Sequence, residues 1–133
     1  MGIMGTGVDV LHLPRIASLI QRRGADRLAS RILSDHELSI WNTMPEADNS
    51  RRTRFLAVRW SVKEAAYKAL YPLAHPTWKE FTFHGLQEGE CRKPFLEYNP
   101  VKQNATVGRI HTSVSHDGEY VFATVTMEEA TNP

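Results

Sequence analysis

Two short segments far apart in the chain each offer one carboxylate in a setting suited to phosphate chemistry. Near the start, Gly5-Thr6-Gly7-Val8-Asp9 places Asp9 behind two glycines. In the middle, Trp60-Ser61-Val62-Lys63-Glu64-Ala65-Ala66-Tyr67-Lys68 surrounds Glu64 with lysines. Two carboxylates with cations beside them are the equipment for holding a divalent metal against phosphates. Taken singly, neither segment says as much. An Asp often closes a strand at a turn, and a Glu followed by Lys at i+4 is a common exposed pair worth about 0.3–0.5 kcal/mol. The small residues on the Glu64 face, and Trp60 beside them, argue against an idle solvated surface. A third segment, Ser113-Val114-Ser115-His116-Asp117, ends an otherwise apolar run with side chains able to hydrogen-bond phosphate oxygens.

Other chemistries are excluded by spacing. Gly5-Thr6-Gly7 lacks the third glycine opening a helix that a dinucleotide site needs. One cysteine, Cys91, and six scattered histidines give no zinc spacing. Neither a nucleophile elbow of the G-x-S-x-G type nor a P-loop occurs.

Positioning these residues falls to a small set of elements. Ile3 to Leu11 alternates with period two, so Gly5, Gly7, Asp9 and Leu11 share one face. The two glycines leave room for a ligand or another backbone to approach Asp9 closely. Helices are expected over 14–23, ending at Gly24, over 25–32, and from the capping box Ser34-Asp35-His36-Glu37 to about Trp41. The best helix spans 51–70, stopped by Pro72; Phe55, Val58, Val62, Ala65, Ala66 and Ala69 form its core stripe, with Trp60, Glu64 and Lys68 opposite and Ala57 and Ser61 beside them. Strands follow at about 79–84, 93–98, 107–116 and 119–127, the last two joined at Asp117-Gly118. The expectation is a single α+β domain over 1–133, an antiparallel sheet closed by the first strand and packed on a long central helix.

Charge is nearly balanced, 16 Lys and Arg against 15 Asp and Glu, which argues against a general nucleic-acid binder. The distribution is uneven. Arg15, Arg22, Arg23, Arg27 and Arg31 face Asp26 alone, and Arg51, Arg52, Arg54 and Arg59 face no acid, pointing to an acidic partner or phosphorylated ligand. A lone cysteine fits a reducing compartment. No apolar run is long enough to span a membrane. The first ten residues read as a strand, so an organelle presequence is absent or removed.

The three chemistry-bearing segments, Gly5-x-Gly7-x-Asp9, Arg59-Trp60-x-x-Lys63-Glu64-Ala65-x-x-Lys68-Ala69 and Ser113-x-Ser115-His116-Asp117, resemble those of the 4'-phosphopantetheinyl transferases. The closest likeness is to their short holo-acyl-carrier-protein synthase type. Pro14-Arg15-Ile16, Arg31-Ile32-Leu33-Ser34-x-x-Glu37 and Phe55-Leu56-Ala57-x-Arg59 match in order, so the likeness runs along essentially the whole chain. It implies Mg²⁺-dependent transfer of phosphopantetheine from coenzyme A to a serine of an apo acyl carrier protein, with adenosine 3',5'-bisphosphate released. Asp9 and Glu64 would hold the metal, and Lys68 and Lys63 would clamp phosphate oxygens. Arg59, His116, Ser113 and Ser115 would face the nucleotide end of coenzyme A. The proton acceptor stays open between Glu64, a metal-bound water near Asp9, and Asp117. Arg15, with Arg22 and Arg23, would dock the acidic carrier protein. The resemblance also implies a homotrimer with sites between chains, because larger members fuse two such units and divide the motifs between them. One departure stands out: Ala69-Leu70-Tyr71-Pro72-Leu73-Ala74-His75-Pro76 replaces the Gly-Thr-Gly turn usual in bacterial members, which points to a eukaryotic organellar member, in the mitochondrion, with the cytoplasm as the alternative. The competing reading is a non-catalytic module binding an acidic helix.

Overall fold

A computed structural model describes residues 2–85, 92–102 and 106–131; Cys91 lies outside them. Alternation at the start becomes strand β1 (Ile3–His12), and the chain continues through helices α1 (Leu13–Arg23), α2 (Ala25–Ile32), α3 (Asp35–Trp41) and α4 (Asn49–Leu70). A single 3-10 turn (Trp78–Glu80) leads into β2 (Phe81–His84), followed by β3 (Phe95–Tyr98), β4 (Val107–Asp117) and β5 (Tyr120–Glu129). Local chemistry accounts for the boundaries. Pro14 opens α1, and Gly24, at φ +87°, ends it. Asp48 caps α4 by accepting from the Arg51 N–H, so α4 begins two residues before the expected 51. Gly118, at φ +58°, makes the turn between β4 and β5.

The main sheet is antiparallel with order β1-β5-β4, while β2 and β3 form a separate two-stranded ribbon rather than joining it. Residues 79 and 80, expected in a strand, belong to the 3-10 turn, where Glu80 accepts from the Thr77 N–H. One face of the main sheet, carrying Leu11, Val121, Ala123, Val125 and Met127, is sealed by α4. The contact is backbone to backbone. A Cβ at Gly5 would stand 1.9 Å from the Ala69 carbonyl oxygen, and one at Gly7 would stand 1.9 Å from that of Ala65. The room left by the two glycines is therefore filled by α4 itself.

With the sheet on one side and α1, α2 and the ribbon on others, α4 is buried nearly all round rather than along one stripe. Ala57 and Ser61, placed beside the exposed face by sequence, are fully buried, whereas Phe55 is only partly so. That burial traps charge. Glu37, completed by the Ser34 capping box, accepts from the Ser34 N–H at 2.9 Å and the Phe83 N–H at 2.9 Å, and takes the Lys63 ammonium at 2.5 Å. Lys63 also donates to the carbonyls of Ile32 at 2.7 Å and Trp78 at 3.1 Å. All three ammonium protons are spent. One carboxylate thus ties α3, α4 and β2 together, and one ammonium ties α4 to α2 and the 3-10 turn.

Removing one member of such a pair leaves the other buried and uncompensated. Lys63→Met is expected to cost about 3–5 kcal/mol of stability, read from the urea midpoint. An unchanged midpoint with lost phosphate binding would instead put Lys63 in a ligand site.

Candidate active site

The close approach of β1 to α4 sets Asp9 against the α4 face that carries Ser61, Glu64 and Lys68, residues spaced three and four apart. The Ser61 hydroxyl donates to Asp9 Oδ2 at 3.0 Å. Lys68 Nζ stands 3.5 Å from Asp9 Oδ1 and donates to the Val8 carbonyl at 2.9 Å. The second contact also covers a backbone acceptor on the edge strand β1. The Asp9 side chain is 14% exposed and that of Lys68 is 52% exposed, so the carboxylate is recessed and the ammonium reaches into solvent. Burial and the neighbouring Asp9 carboxylate hold the Glu64 carboxyl above the usual range, partly offset by Lys68 and Arg15. A carboxyl held up by burial and by a second carboxylate marks a place that favours a cation.

Among the described residues no group of three or more His, Cys, Asp or Glu side chains could hold a metal. A two-carboxylate site nevertheless fits Mg²⁺, which uses one or two carboxylates and completes its shell with water and phosphate oxygens. Asp9 and Glu64 supply hard oxygen donors. With Asp9 Oδ2 engaged by Ser61, Oδ1 is the oxygen turned toward Lys68.

Arg15 lies on the same side. Its guanidinium is 5.7 Å from the Trp60 ring centroid, and Trp60 packs on Trp78 at 5.0 Å. Arg15, Arg22 and Arg23 gather with Arg31 around a hollow of about 330 Å³ floored by Trp60 and Trp78. The three arginines singled out for docking therefore form one basic surface next to the carboxylates.

Lys63 does not join the site. Although it is the residue just before Glu64, it points into the core and its donors are consumed, so its expected role as a phosphate clamp is replaced by a structural one. Desolvation keeps its pKa below the usual lysine value despite Glu37. Arg59 is also turned away, lying over the rings of Phe55 at 3.7 Å and Phe83 at 5.2 Å. Burial pulls its pKa down to about 10 against the opposing pull of Glu37. Its Nε finds no hydrogen-bond partner among the described residues. Ser113 borders a separate shallow hollow with Phe83, Lys93 and Thr112, so Arg59 and Ser113 flank the same phenylalanine.

Ser115 and His116 are exposed near the end of β4. His116 pairs with Val121 and Ser115 with Phe122, whose partners on the other side are Leu11 and Val10 of β1. Strand β5 separates β4 from β1, a backbone distance of about 10 Å. Within one chain the residues thus form two groups: Asp9, Ser61, Glu64, Lys68 and Arg15 in one, and Arg59 with the β4 residues in the other. Sequence reasoning gave no role to Ser61 or to Glu37. The signal for Ser61 was present, a hydroxyl one turn before Glu64; Glu37 was hidden because the capping box already explained it.

Comparison with known proteins gives the family. The family model of the 4'-phosphopantetheinyl transferase superfamily matches residues 5–125. The chain is similar to the holo-[acyl-carrier-protein] synthase of Klebsiella pneumoniae, 39% identical over 132 residues that cover 96% of this chain and 99% of the relative. Its counterpart in Escherichia coli is 36% identical with the same coverage. A solved holo-(acyl-carrier-protein) synthase from Bacillus anthracis, in complex with CoA, aligns at a TM-score of 0.75 and 27% identity, covering 98% of this chain and 100% of that one. Matched in sequence from Gly5 to Val125 and in fold throughout, the chain belongs to the 4'-phosphopantetheinyl transferase superfamily.

Proposed function

We propose that this chain transfers the 4'-phosphopantetheine group of coenzyme A to a serine of an apo acyl carrier protein, with Mg²⁺ as cofactor and adenosine 3',5'-bisphosphate as the leaving product. The observation that carries the reading is the Asp9–Glu64 pair set against Lys68 on a face that a protein partner can reach. A divalent cation held by Asp9 and Glu64 would neutralise charge on the pyrophosphate as its bridging bond breaks. Lys68 anchors on Asp9 and the Val8 carbonyl and has a donor left for a phosphate oxygen. Ser61 keeps Asp9 in one rotamer, which is the preorganisation that transition-state stabilisation requires. The serine proton would pass to Glu64, to a water near Asp9 or to Asp117.

The basic hollow of Arg15, Arg22 and Arg23 supports docking of an acidic carrier helix, since an arginine-rich surface beside the site steers that partner inward. The uncovered face of the main sheet supports self-association. Val8 is 53% exposed, Val10 50%, Tyr120 47% and Phe122 42%, together an apolar patch that a second copy can cover. We read the assembly as a homotrimer in which Ser113, Ser115 and His116 of one subunit complete the coenzyme A site at Asp9 and Glu64 of its neighbour.

Three outcomes are expected. Asp9→Asn and Glu64→Gln should each abolish transfer while leaving the fold intact. A carboxyl with a raised folded-state pKa carries no penalty while protonated and its full penalty once pH passes that pKa. Glu64→Gln should therefore melt at or above the wild-type temperature at pH 7 without Mg²⁺, with the gap closing as pH falls toward the ordinary carboxylate value. An active Glu64→Gln enzyme at ordinary Mg²⁺ would overturn the metal assignment. Mixing inactive His116→Ala with inactive Glu64→Gln subunits should restore part of the activity, because mixed assemblies contain intact sites. No recovery after confirmed subunit exchange would place the whole site within one chain.

A further inference from the structure

Ser61 lies in the middle of α4, fully buried, where an alanine would serve the helix better. Ala57, Ala65, Ala66 and Ala69 already pack this stretch, so neither helix propensity nor space calls for a hydroxyl at this point. A serine inside a helix commonly turns its hydroxyl back to the carbonyl four residues earlier. Among the described residues the Ser61 hydroxyl instead has one partner, Asp9 Oδ2, at 3.0 Å.

That bond makes the two oxygens of Asp9 unequal. Oδ2 is tied to α4, while Oδ1 stands 3.5 Å from the Lys68 ammonium. The carboxylate has little freedom to shift as a whole. Asp9 is paired with Ala123 within the β1–β5 ladder, and Gly5 and Gly7 hold β1 hard against α4. Turning the group so that both oxygens met one ligand would give up the Ser61 bond. Asp9 is therefore prepared to offer one oxygen, not two.

One oxygen or two separates the common divalent cations. Mg²⁺ is small and demands a near-ideal octahedron, which the narrow bite of a chelating carboxylate distorts. Ca²⁺ is larger, takes about six to eight oxygens in a flexible shell, and often uses both oxygens of one carboxylate. Resting on the proposed transferase reading, in which Asp9 and Glu64 hold the cation, we infer that Ser61 is a positioning residue that sets the metal preference of the site. By holding Asp9 to one oxygen it favours Mg²⁺ over Ca²⁺.

Calorimetric titration of the protein with coenzyme A in Mg²⁺, in Ca²⁺ and in a chelator tests this for the wild type and Ser61→Ala. Each metal's own affinity for coenzyme A is common to both proteins and cancels in the comparison. The wild type is expected to bind coenzyme A about tenfold more tightly in Mg²⁺ than in Ca²⁺. In Ser61→Ala, shown to be folded by its melting curve, that ratio should fall to about threefold or less. Weakening by the same factor in both metals would mark a merely structural serine and overturn the inference. So would an unchanged ratio, or a wild type that does not distinguish the two metals, an outcome that needs no variant. Wild-type binding of coenzyme A as tight in chelator as in either metal would instead refute the metal assignment behind the transferase reading, and this inference with it.

Discussion

The site depends on how closely β1 can approach α4. A side chain at Gly5 or Gly7 would collide with the carbonyl oxygens of Ala69 and Ala65, so bare backbone on one side and alanines on the other set the separation. At that distance Asp9, the next inward-facing residue on β1, comes level with Ser61 and Lys68. The carboxylate pair follows from this packing. Burial raises the proton affinity of Glu64, and the neighbouring Asp9 carboxylate adds to it, so bringing the two carboxylates together disfavours their negative charge.

Two lysines five residues apart on one helix illustrate how burial decides role. Lys63 faces the core, where Glu37 and two carbonyls absorb its charge. Lys68 faces the edge of β1, half exposed, where its ammonium remains available. The internal pair fixes α2, α3, β2 and the 3-10 turn around α4, and through the Trp78 carbonyl it also sets one wall of a cleft beside Glu64. Frame and site are linked through the same short stretch of helix.

The elements were largely legible in the sequence because their signals are local. The Ser34–Glu37 capping box, Pro14 at the start of α1 and Asp117-Gly118 at the hairpin each formed where their types required. The Asp9–Glu64–Lys68 grouping could also be read, since glycine spacing and helical periodicity both constrain it. What could not be read was which way a charged residue turns when its helix is buried on most sides. Lys63 and Arg59 look alike on a helical wheel that assumes one broad solvated face, whereas the middle of α4 is covered nearly all round. Nor could periodicity show that β2 and β3 pair with each other rather than extending the main sheet, because strand pairing at long range depends on tertiary packing.

The central claim is chemical, that a carboxylate pair created by strand–helix contact supports phosphoryl transfer to a protein hydroxyl. The most direct measurement is mass spectrometry of an apo acyl carrier protein incubated with this protein, coenzyme A and Mg²⁺. The expected result is a carrier heavier by one phosphopantetheine on a single serine, formed with adenosine 3',5'-bisphosphate in equal amount and lost when Mg²⁺ is chelated. A carrier of unchanged mass, in the presence of folded protein that binds coenzyme A, would contradict it.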